Sequence, residues 1–162
     1  MILIACNGTA TLEQLLVLKE AATNKNIPVS CIKITGIGKF EILEKVSEGK
    51  QLNEREKAAH LKIINRLGQI CEAASKANVP LYIDAEESWI QDCIDDLVQE
   101  LMMKYNTVSP MVYNTLQMYR WDRIEYLKNA WSHADRHGYK MGMKIVRGAY
   151  MEKERARAAE LN

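Results

Sequence analysis

Residues 80–84 read Pro80-Leu-Tyr-Ile-Asp84, an apolar run that a proline opens and an aspartate closes. Proline lacks the N–H that a sheet ladder needs and is tolerated at the first residue of a strand, so this run predicts a strand. Runs of the same form begin at Pro28 and Pro110, and a fourth apolar segment covers 140–148 after a turn signal. The sequence therefore predicts four strands.

Stretches with helical spacing of apolar residues separate these strands. They cover 11–24, 40–46, 53–78, 88–104, 122–137 and 152–161. Asn53 followed by Glu56 is the pattern of a capping box at the start of the third stretch. Alternation of strands and helices predicts right-handed crossovers and a parallel sheet. Because a closed eight-stranded barrel needs ~250 residues, 162 residues with four strands predict a small open sheet or about half of a barrel.

The helical stretches also predict which side chains face the core. The expected buried stripes are Leu12, Leu15, Leu16, Leu18 and Ala22 behind a Thr11 cap; Leu61, Ile64, Leu67, Cys71 and Ala74; Ile90, Ile94, Leu97, Leu101 and Met102; and Ile124, Leu127 and Trp131.

Composition excludes several classes of protein. Twenty-two basic and twenty-one acidic side chains give a net charge of +1, so neither nucleic acid nor an anionic membrane is an expected partner. No apolar run approaches the ~18–20 residues of a spanning helix, and the run 1–6 is too short for a signal peptide. Four widely spaced cysteines without a Cys-x-x-Cys pair predict free thiols in a reducing cytosol and no metal site.

Polar residues at or near the far ends of the apolar segments are the most informative feature. They are Lys33, Asp84, Gln117 and Lys144. Ligands of parallel α/β proteins bind at the carboxyl ends of the strands, and a lysine between isoleucines needs an anionic partner. A single residue of this kind would favour a structural ion pair. Four such residues at equivalent places on four strands favour a ligand-binding site.

Other motifs are weaker. Gly36-Ile-Gly38 begins like a dinucleotide fingerprint, but Glu41 stands where the third glycine belongs, so a backbone turn is the better interpretation. His133 and His137 have helical spacing without the glutamate of a zinc protease, which favours an exposed helix end.

Three motifs together resemble the proline dehydrogenases, the flavoenzymes of proline breakdown. They are Asp84-Ala-Glu-Glu87-Ser-Trp89, Tyr113-Asn-Thr-Leu-Gln117-Met-Tyr119 and Met143-Lys-Ile-Val-Arg-Gly-Ala-Tyr150, and Cys31-Ile-Lys33-Ile-Thr-Gly-Ile-Gly38 is similar to that family's first lysine-bearing strand. The resemblance runs from about residue 27 to the end of the chain. It implies a distorted (βα)8 barrel that binds FAD and oxidises L-proline to Δ1-pyrroline-5-carboxylate, with electrons passing to a membrane quinone.

The resemblance also implies a role for each site residue. Lys33 matches the lysine that pairs with the proline carboxylate, and Tyr150 matches the tyrosine beside the substrate ring. Asp84 matches an active-site aspartate that positions neighbouring cationic and tyrosine groups. Gln117 and Lys144 match residues near the flavin. No metal is implied.

The resemblance covers only part of the family's barrel. The family's last strands and its paired arginines have no counterpart before Asn162, and an opening strand is not evident before Thr11. We therefore expect residues 1–162 to form one partial domain, an internal piece of a longer enzyme that is cytoplasmic with room for peripheral contact at the bacterial inner membrane. Alone, it is expected to self-associate, bind FAD weakly if at all, and turn over little.

Two other classes of function stay open. A non-catalytic scaffold or assembly module would keep the barrel without its chemistry. A barrel aldolase would use Lys33 or Lys144 to form a Schiff base, which borohydride would trap.

Overall fold

The computed structural model describes residues 8–160, with side chains from residue 10 onward. Within these residues six helices and four strands follow in the order α1 (Gly8–Ala21), β1 (Ser30–Ile32), α2 (Phe40–Ser47), α3 (Glu54–Ala77), β2 (Leu81–Ile83), α4 (Ser88–Tyr105), β3 (Val112–Gln117), α5 (Arg123–His137), β4 (Met143–Val146) and α6 (Met151–Glu160). This order confirms the predicted strands and helices. The prediction for the run 1–6 lies outside the described residues.

The four strands form one parallel sheet in the order β1-β2-β3-β4. Ser30 lies opposite Leu81, and Leu81 lies opposite Val112. Because right-handed crossovers between successive strands all place their helices on the same face, this sheet is wound in one direction only. A doubly wound sheet would reverse its order. The fold is therefore α/β of the barrel type, in the form of a four-stranded arc.

Helices cover one face of the arc and leave the other face open. Ile32, Leu81, Ile83 and Val112 are buried beneath the helices and form the centre of the core. On the opposite face, which we call the open face, lie Cys31, Tyr82, Tyr113 and Lys144, none of them buried. The rings of Tyr82 and Tyr113 meet edge to face with 4.7 Å between centroids.

Local sequence signals explain several element ends. Asn53 and Glu56 form the predicted capping box, in which each side chain accepts a hydrogen bond from the other residue's backbone N–H. Gly38 lies after a 3-10 turn (Ile34–Gly36), which confirms a backbone turn there. A Cβ on Gly38 would lie 2.4 Å from Cδ1 of Ile63, so only glycine lets this turn approach α3.

A fully buried asparagine fastens the amino-terminal ends of β3 and β4. Asn106 ends α4, and its side-chain amide donates to the carbonyl oxygens of Val112 and Lys140, each at 2.8 Å. Its side-chain oxygen Oδ1 accepts hydrogen bonds from the backbone N–H groups of Met111 and Val112. The two strands are thus held in register by one side chain.

The predicted stripe of α4 is confirmed, whereas three other stripes are wrong in part. Leu12 and Leu16 of α1 are exposed, as are Ala22, Leu61, Ile64, Ile124 and Trp131. Thr11 is not a cap, because α1 begins at Gly8. Apolar residues at helical spacing do not by themselves show which face of a helix packs against the sheet. In α1 the buried face is the one that carries Gln14 and Leu18.

No helix within residues 8–160 is both long enough and apolar enough to span a bilayer.

Candidate active site

Lys33 and Tyr150 meet at the carboxyl edge of the sheet. Lys33 follows β1 directly, and Tyr150 lies between β4 and α6. Nζ of Lys33 donates to the Tyr150 hydroxyl at 2.8 Å and lies 5.1 Å from the centre of its ring. Burial lowers the pKa of Lys33, but the Tyr150 hydroxyl and the charges of Glu86 and Asp84 outweigh it and raise the pKa above its usual value. Lys33 is therefore a cation at neutral pH.

Asp84 and Lys144 form an ion pair across the open face. Asp84 follows β2, and Lys144 extends from β4, so the pair spans the intervening strand β3. Both side chains keep 27% of their surface exposed. The Cys31 thiol lies 4.0 Å from Nζ of Lys144. Partial burial together with the charge of Asp84 raises the pKa of Cys31 to about 11 despite the nearby lysines.

Gln117 lies deeper than the other predicted residues. It is buried at the end of β3, and its amide nitrogen donates to the Glu86 carbonyl oxygen at 2.6 Å and to the Tyr119 hydroxyl at 3.0 Å. The Tyr119 hydroxyl also accepts from the backbone N–H of Tyr150 at 3.2 Å. Gln117 is therefore joined to the Lys33–Tyr150 pair through Tyr119.

Glu86 is a residue of the candidate site that sequence reasoning missed. Its buried carboxylate accepts from both the backbone N–H and the hydroxyl of Thr35, in the turn after Lys33. Its backbone carbonyl receives the Gln117 amide. Glu86, which follows β2, thus links the turn after β1 to the last residue of β3. The sequence signal was its place two residues after Asp84, within a motif that already carried a strand-end residue.

A buried polar cluster lies between β3 and the helices that cover it. The Asp95 carboxylate on α4 accepts from Arg123 at 2.7 Å, from Asn114 at 2.8 Å and from Gln91 at 2.8 Å. Asp122 forms ion pairs with Arg123 and Arg120. Since Arg120 also donates to Gln117 at 3.4 Å, this cluster reaches the candidate site.

The remaining motifs lie away from this edge. His133 and His137 stack at 4.2 Å between ring centroids, and Nδ1 of His133 lies 3.1 Å from the Tyr139 hydroxyl. Among the described residues, no group of three or more histidine, cysteine or acidic side chains is placed to hold a metal ion.

Lys33, Asp84, Gln117 and Tyr150 thus lie at the carboxyl edge of one parallel sheet, and Lys144, within β4, reaches this edge through its ion pair with Asp84. An arc of successive parallel strands with polar residues at this edge defines a βα-barrel protein, a class in which ligands bind at the carboxyl ends of the strands.

The chain belongs to the proline dehydrogenase family. The family model described as proline dehydrogenase matches residues 9–162. The chain is 40% identical over 111 residues to proline dehydrogenase 1, mitochondrial, of Arabidopsis thaliana, covering 67% of this chain and 21% of the relative. It is 34% identical over 111 residues to the corresponding human protein, covering 68% and 18%.

A third relative bears a different name. The carbapenem antibiotics biosynthesis protein CarD of Pectobacterium carotovorum is 31% identical over 130 residues, which cover 80% of this chain and 35% of CarD. The chain therefore spans about a third or less of the length of these curated relatives.

Solved structures agree on the fold. Proline utilization A from Bdellovibrio bacteriovorus superimposes with a TM-score of 0.75 over 94% of this chain and 17% of its own, at 14% sequence identity. Proline utilization A from Corynebacterium freiburgense superimposes with a TM-score of 0.72 at 19% identity. The four-stranded arc thus has the shape of part of these larger proteins.

Proposed function

We propose that this chain supplies half of the active site of a flavin-dependent dehydrogenase that oxidises L-proline to Δ1-pyrroline-5-carboxylate. The observation that carries the proposal is the Lys33–Tyr150 contact, which places a cation against an aromatic ring at the carboxyl edge of the sheet. Proline is a zwitterion with an apolar ring, so it needs both a partner for its carboxylate and a wall for its ring.

Lys33 is proposed to bind the substrate carboxylate. Its neighbours Glu86 and Asp84 keep it charged, and the Tyr150 hydroxyl orients its ammonium group. A carboxylate that takes one of its remaining donors forms a charge-assisted hydrogen bond. Tyr150 then lies beside the bound ring without leaving its contact with Lys33.

Asp84 is proposed to position Lys144. As a partly exposed ion pair, the two groups hold one cation at a fixed place on the open face. Asp84 also lies near Lys33 and raises its pKa, so one carboxylate acts on both lysines.

The carboxyl edge of the sheet fits FAD as the cofactor, with Gln117 and Lys144 as the residues that would hold it. Nζ of Lys144 lies 6.0 Å from the centre of the Tyr82 ring, so this edge offers a flavin ring both a cation and an aromatic side chain. The Gln117 carbonyl oxygen, which receives one long bond from Arg120, keeps capacity to accept another. Bound FAD supplies the acceptor for a hydride equivalent from proline, and Lys144 would stabilise the electron density gained there.

Electron transfer to a quinone completes the proposed reaction and implies contact with the inner membrane from the cytoplasmic side. The scaffold alternative predicts that replacing Lys33 alters stability alone. The aldolase alternative is disfavoured, because Schiff-base formation needs a neutral amine, whereas Lys33 has a raised pKa and Lys144 is paired with Asp84.

An anaerobic absorption experiment tests the proposal. The chain at high concentration is mixed with excess FAD and L-proline, and the visible flavin band is followed. We expect slow bleaching that requires the chain and is lost in Lys33→Met, while a desalted sample keeps little flavin because a four-stranded arc leaves the open face to water. Lys57→Met, on exposed α3, is the matched control. Bleaching that persists in Lys33→Met would contradict the proposal.

A further inference from the structure

Tyr119 lies in the turn that follows β3. The backbone N–H of Arg120 donates to the Gln117 carbonyl oxygen at 3.0 Å, which closes a four-residue turn with Tyr119 at its third position. The N–H of Met118 donates to the Val146 carbonyl oxygen at 3.0 Å, so the ladder between β3 and β4 continues into the turn. The backbone on both sides of Tyr119 is therefore fixed, and its side chain starts from a defined place at the carboxyl edge of the sheet.

The direction of both hydrogen bonds to the Tyr119 hydroxyl is fixed by the partners. Nε2 of Gln117 also donates to the Glu86 carbonyl oxygen at 2.6 Å, and a carbonyl oxygen only accepts. The same amide nitrogen is therefore the donor to the Tyr119 oxygen at 3.0 Å. The second donor is the backbone N–H of Tyr150 at 3.2 Å. The hydroxyl oxygen thus accepts from two N–H groups, one at the end of β3 and one just before α6.

Tyr150 is the residue that this hydroxyl connects to β3. Its carbonyl oxygen accepts from the N–H of Glu154 at 3.0 Å, which begins α6. The residues that lead to it, 147–149, are exposed. Its own hydroxyl accepts from Nζ of Lys33 at 2.8 Å. Tyr150 therefore joins two parts of the edge, because its N–H binds Tyr119 after β3 and its hydroxyl binds the residue after β1.

The Tyr119 hydroxyl stays protonated at neutral pH. Burial raises its pKa, and so does the charge of Glu154, whereas the hydrogen bonds from Tyr150 and Gln117 and the charge of Arg120 lower it. The resulting pKa lies above the usual value of tyrosine. Tyr119 therefore accepts its two hydrogen bonds as a neutral phenol, which suits a fixed support for its neighbours.

We propose that Tyr119 is a positioning residue, whose hydroxyl holds the backbone of Tyr150 at the place where the Tyr150 side chain meets Lys33. This role rests on the proposed function, since that contact is where proline is proposed to bind, but it can be tested without proline. Loss of the hydroxyl leaves the Gln117 amide its bond to Glu86, whereas Tyr150 loses its bond to the turn after β3. Tyr119→Phe should therefore displace Tyr150 and leave the sheet intact.

NMR spectroscopy of the isotopically labelled chain at neutral pH tests this role. In the wild type, the Tyr150 N–H should exchange with solvent more slowly than the N–H groups of the exposed residues 147–149, and the Tyr150 ring protons should show a nuclear Overhauser effect to the Lys33 side chain. In Tyr119→Phe the exchange should speed up and the Overhauser effect should be lost. Tyr139→Phe is the matched control, because it removes a hydroxyl from a buried tyrosine that lies beside His133, away from this edge.

A double substitution separates positioning from general loosening. Tyr150→Phe removes the hydroxyl that Lys33 binds and should lower the pKa of Lys33, and Tyr119→Phe should lower it too. If Tyr119 acts through Tyr150, the double variant should have the same Lys33 midpoint as Tyr150→Phe alone. An unchanged Overhauser effect in Tyr119→Phe, an equal loss in Tyr139→Phe, or additive changes in the double variant would overturn the role of Tyr119. If these results hold and proline does not bind, Tyr119 has this role and only the proposed function is wrong.

Discussion

Nζ of Lys33 donates to the Tyr150 hydroxyl at 2.8 Å, although 117 residues separate the two in sequence and their strands lie at opposite edges of the sheet. This contact depends on the curvature of the arc, because the outermost strands of a flat sheet would lie too far apart. The pair also joins the cation proposed to bind proline to the ring proposed to lie beside it. The fold and the candidate site are thus linked at one hydrogen bond.

Tyr150→Phe should lower the pKa of Lys33. Burial alone lowers this pKa, and the Tyr150 hydroxyl contributes to the interactions that raise it, so losing the hydroxyl shifts the balance downward. A pH titration by NMR of the chain labelled at the lysine Cε carbons measures it. The wild-type signal of Lys33 should titrate above the ordinary range of lysine, and the variant's should move down; identical midpoints would show that the hydrogen bond is not formed in solution.

Cys31 should react slowly with iodoacetamide at pH 8, since its pKa is raised to about 11. Asp84→Asn should increase the rate, because Asp84 raises the thiol pKa by its charge and by a hydrogen bond, while Lys144 and Lys33 lower it. Peptide mapping by mass spectrometry reports on Cys31 alone. Asp135→Asn, on the exposed surface of α5, is the control. An unchanged rate in Asp84→Asn would place Asp84 away from the thiol.

Two glycine substitutions should have opposite effects on stability. A Cβ on Gly142 would lie 2.6 Å from the Val112 carbonyl oxygen, which is backbone and cannot give way, so Gly142→Ala should destabilise the protein by roughly 1–3 kcal/mol. Nothing lies within 4 Å of a Cβ on Gly68 in α3, so Gly68→Ala should stabilise it by roughly 0.5–1 kcal/mol. Urea denaturation measures both, and equal effects would mean that β4 does not approach β3 as described.

Asp122 should stabilise the protein at neutral pH and lose this effect in acid. Burial raises its pKa, but Arg123 and Arg120 more than offset burial and lower the pKa from 3.8 to about 2. A carboxyl with a depressed folded pKa stabilises above its unfolded pKa, and the stabilisation disappears as the pH falls from about 4 to about 2. The contribution is on the order of 2 kcal/mol.

Asp122→Asn should therefore lower the free energy of unfolding at pH 7 and flatten its dependence on pH in the acid range. Thermal unfolding followed across pH 2–7 measures the slope. Asp135→Asn, in the same helix but exposed, should leave the slope as in the wild type. A slope unchanged by Asp122→Asn would mean that the arginine pairs do not form in solution.

Much of the fold could be predicted because its signals are local. Proline at strand entries, the Asn53–Glu56 box and helical periodicity fix where elements begin and what type they are. Which helix face is buried depends on neighbours distant in sequence. In α1 the polar Gln14 faces the sheet because Ser30 offers it a hydrogen bond, whereas Leu16 stays exposed at the edge of the arc.

Like the fold, the candidate site could be predicted only in part: its residues could be named, but not their partners. Position at strand ends singled out Lys33 and Asp84, but pattern alone could not pair Lys33 with Tyr150 or Asp84 with Lys144. Those partners follow from the curvature of the sheet. Glu86 was not predicted because its carboxylate accepts hydrogen bonds from a backbone N–H and a hydroxyl. Neither of these groups is charged, so the sequence shows no charge pattern that would reveal the contact.

An NMR titration of the nitrogen-15-labelled chain with L-proline tests whether the Lys33–Tyr150 edge binds proline through its carboxylate. Shift changes should concentrate at residues 33–36, 84 and 150, and pyrrolidine, which has the ring without the carboxylate, should not reproduce them at 33–36. Lys33→Met should abolish them, while Lys57→Met should not. Shifts that persist in Lys33→Met, or that pyrrolidine reproduces in full, would show that Lys33 does not bind the proline carboxylate.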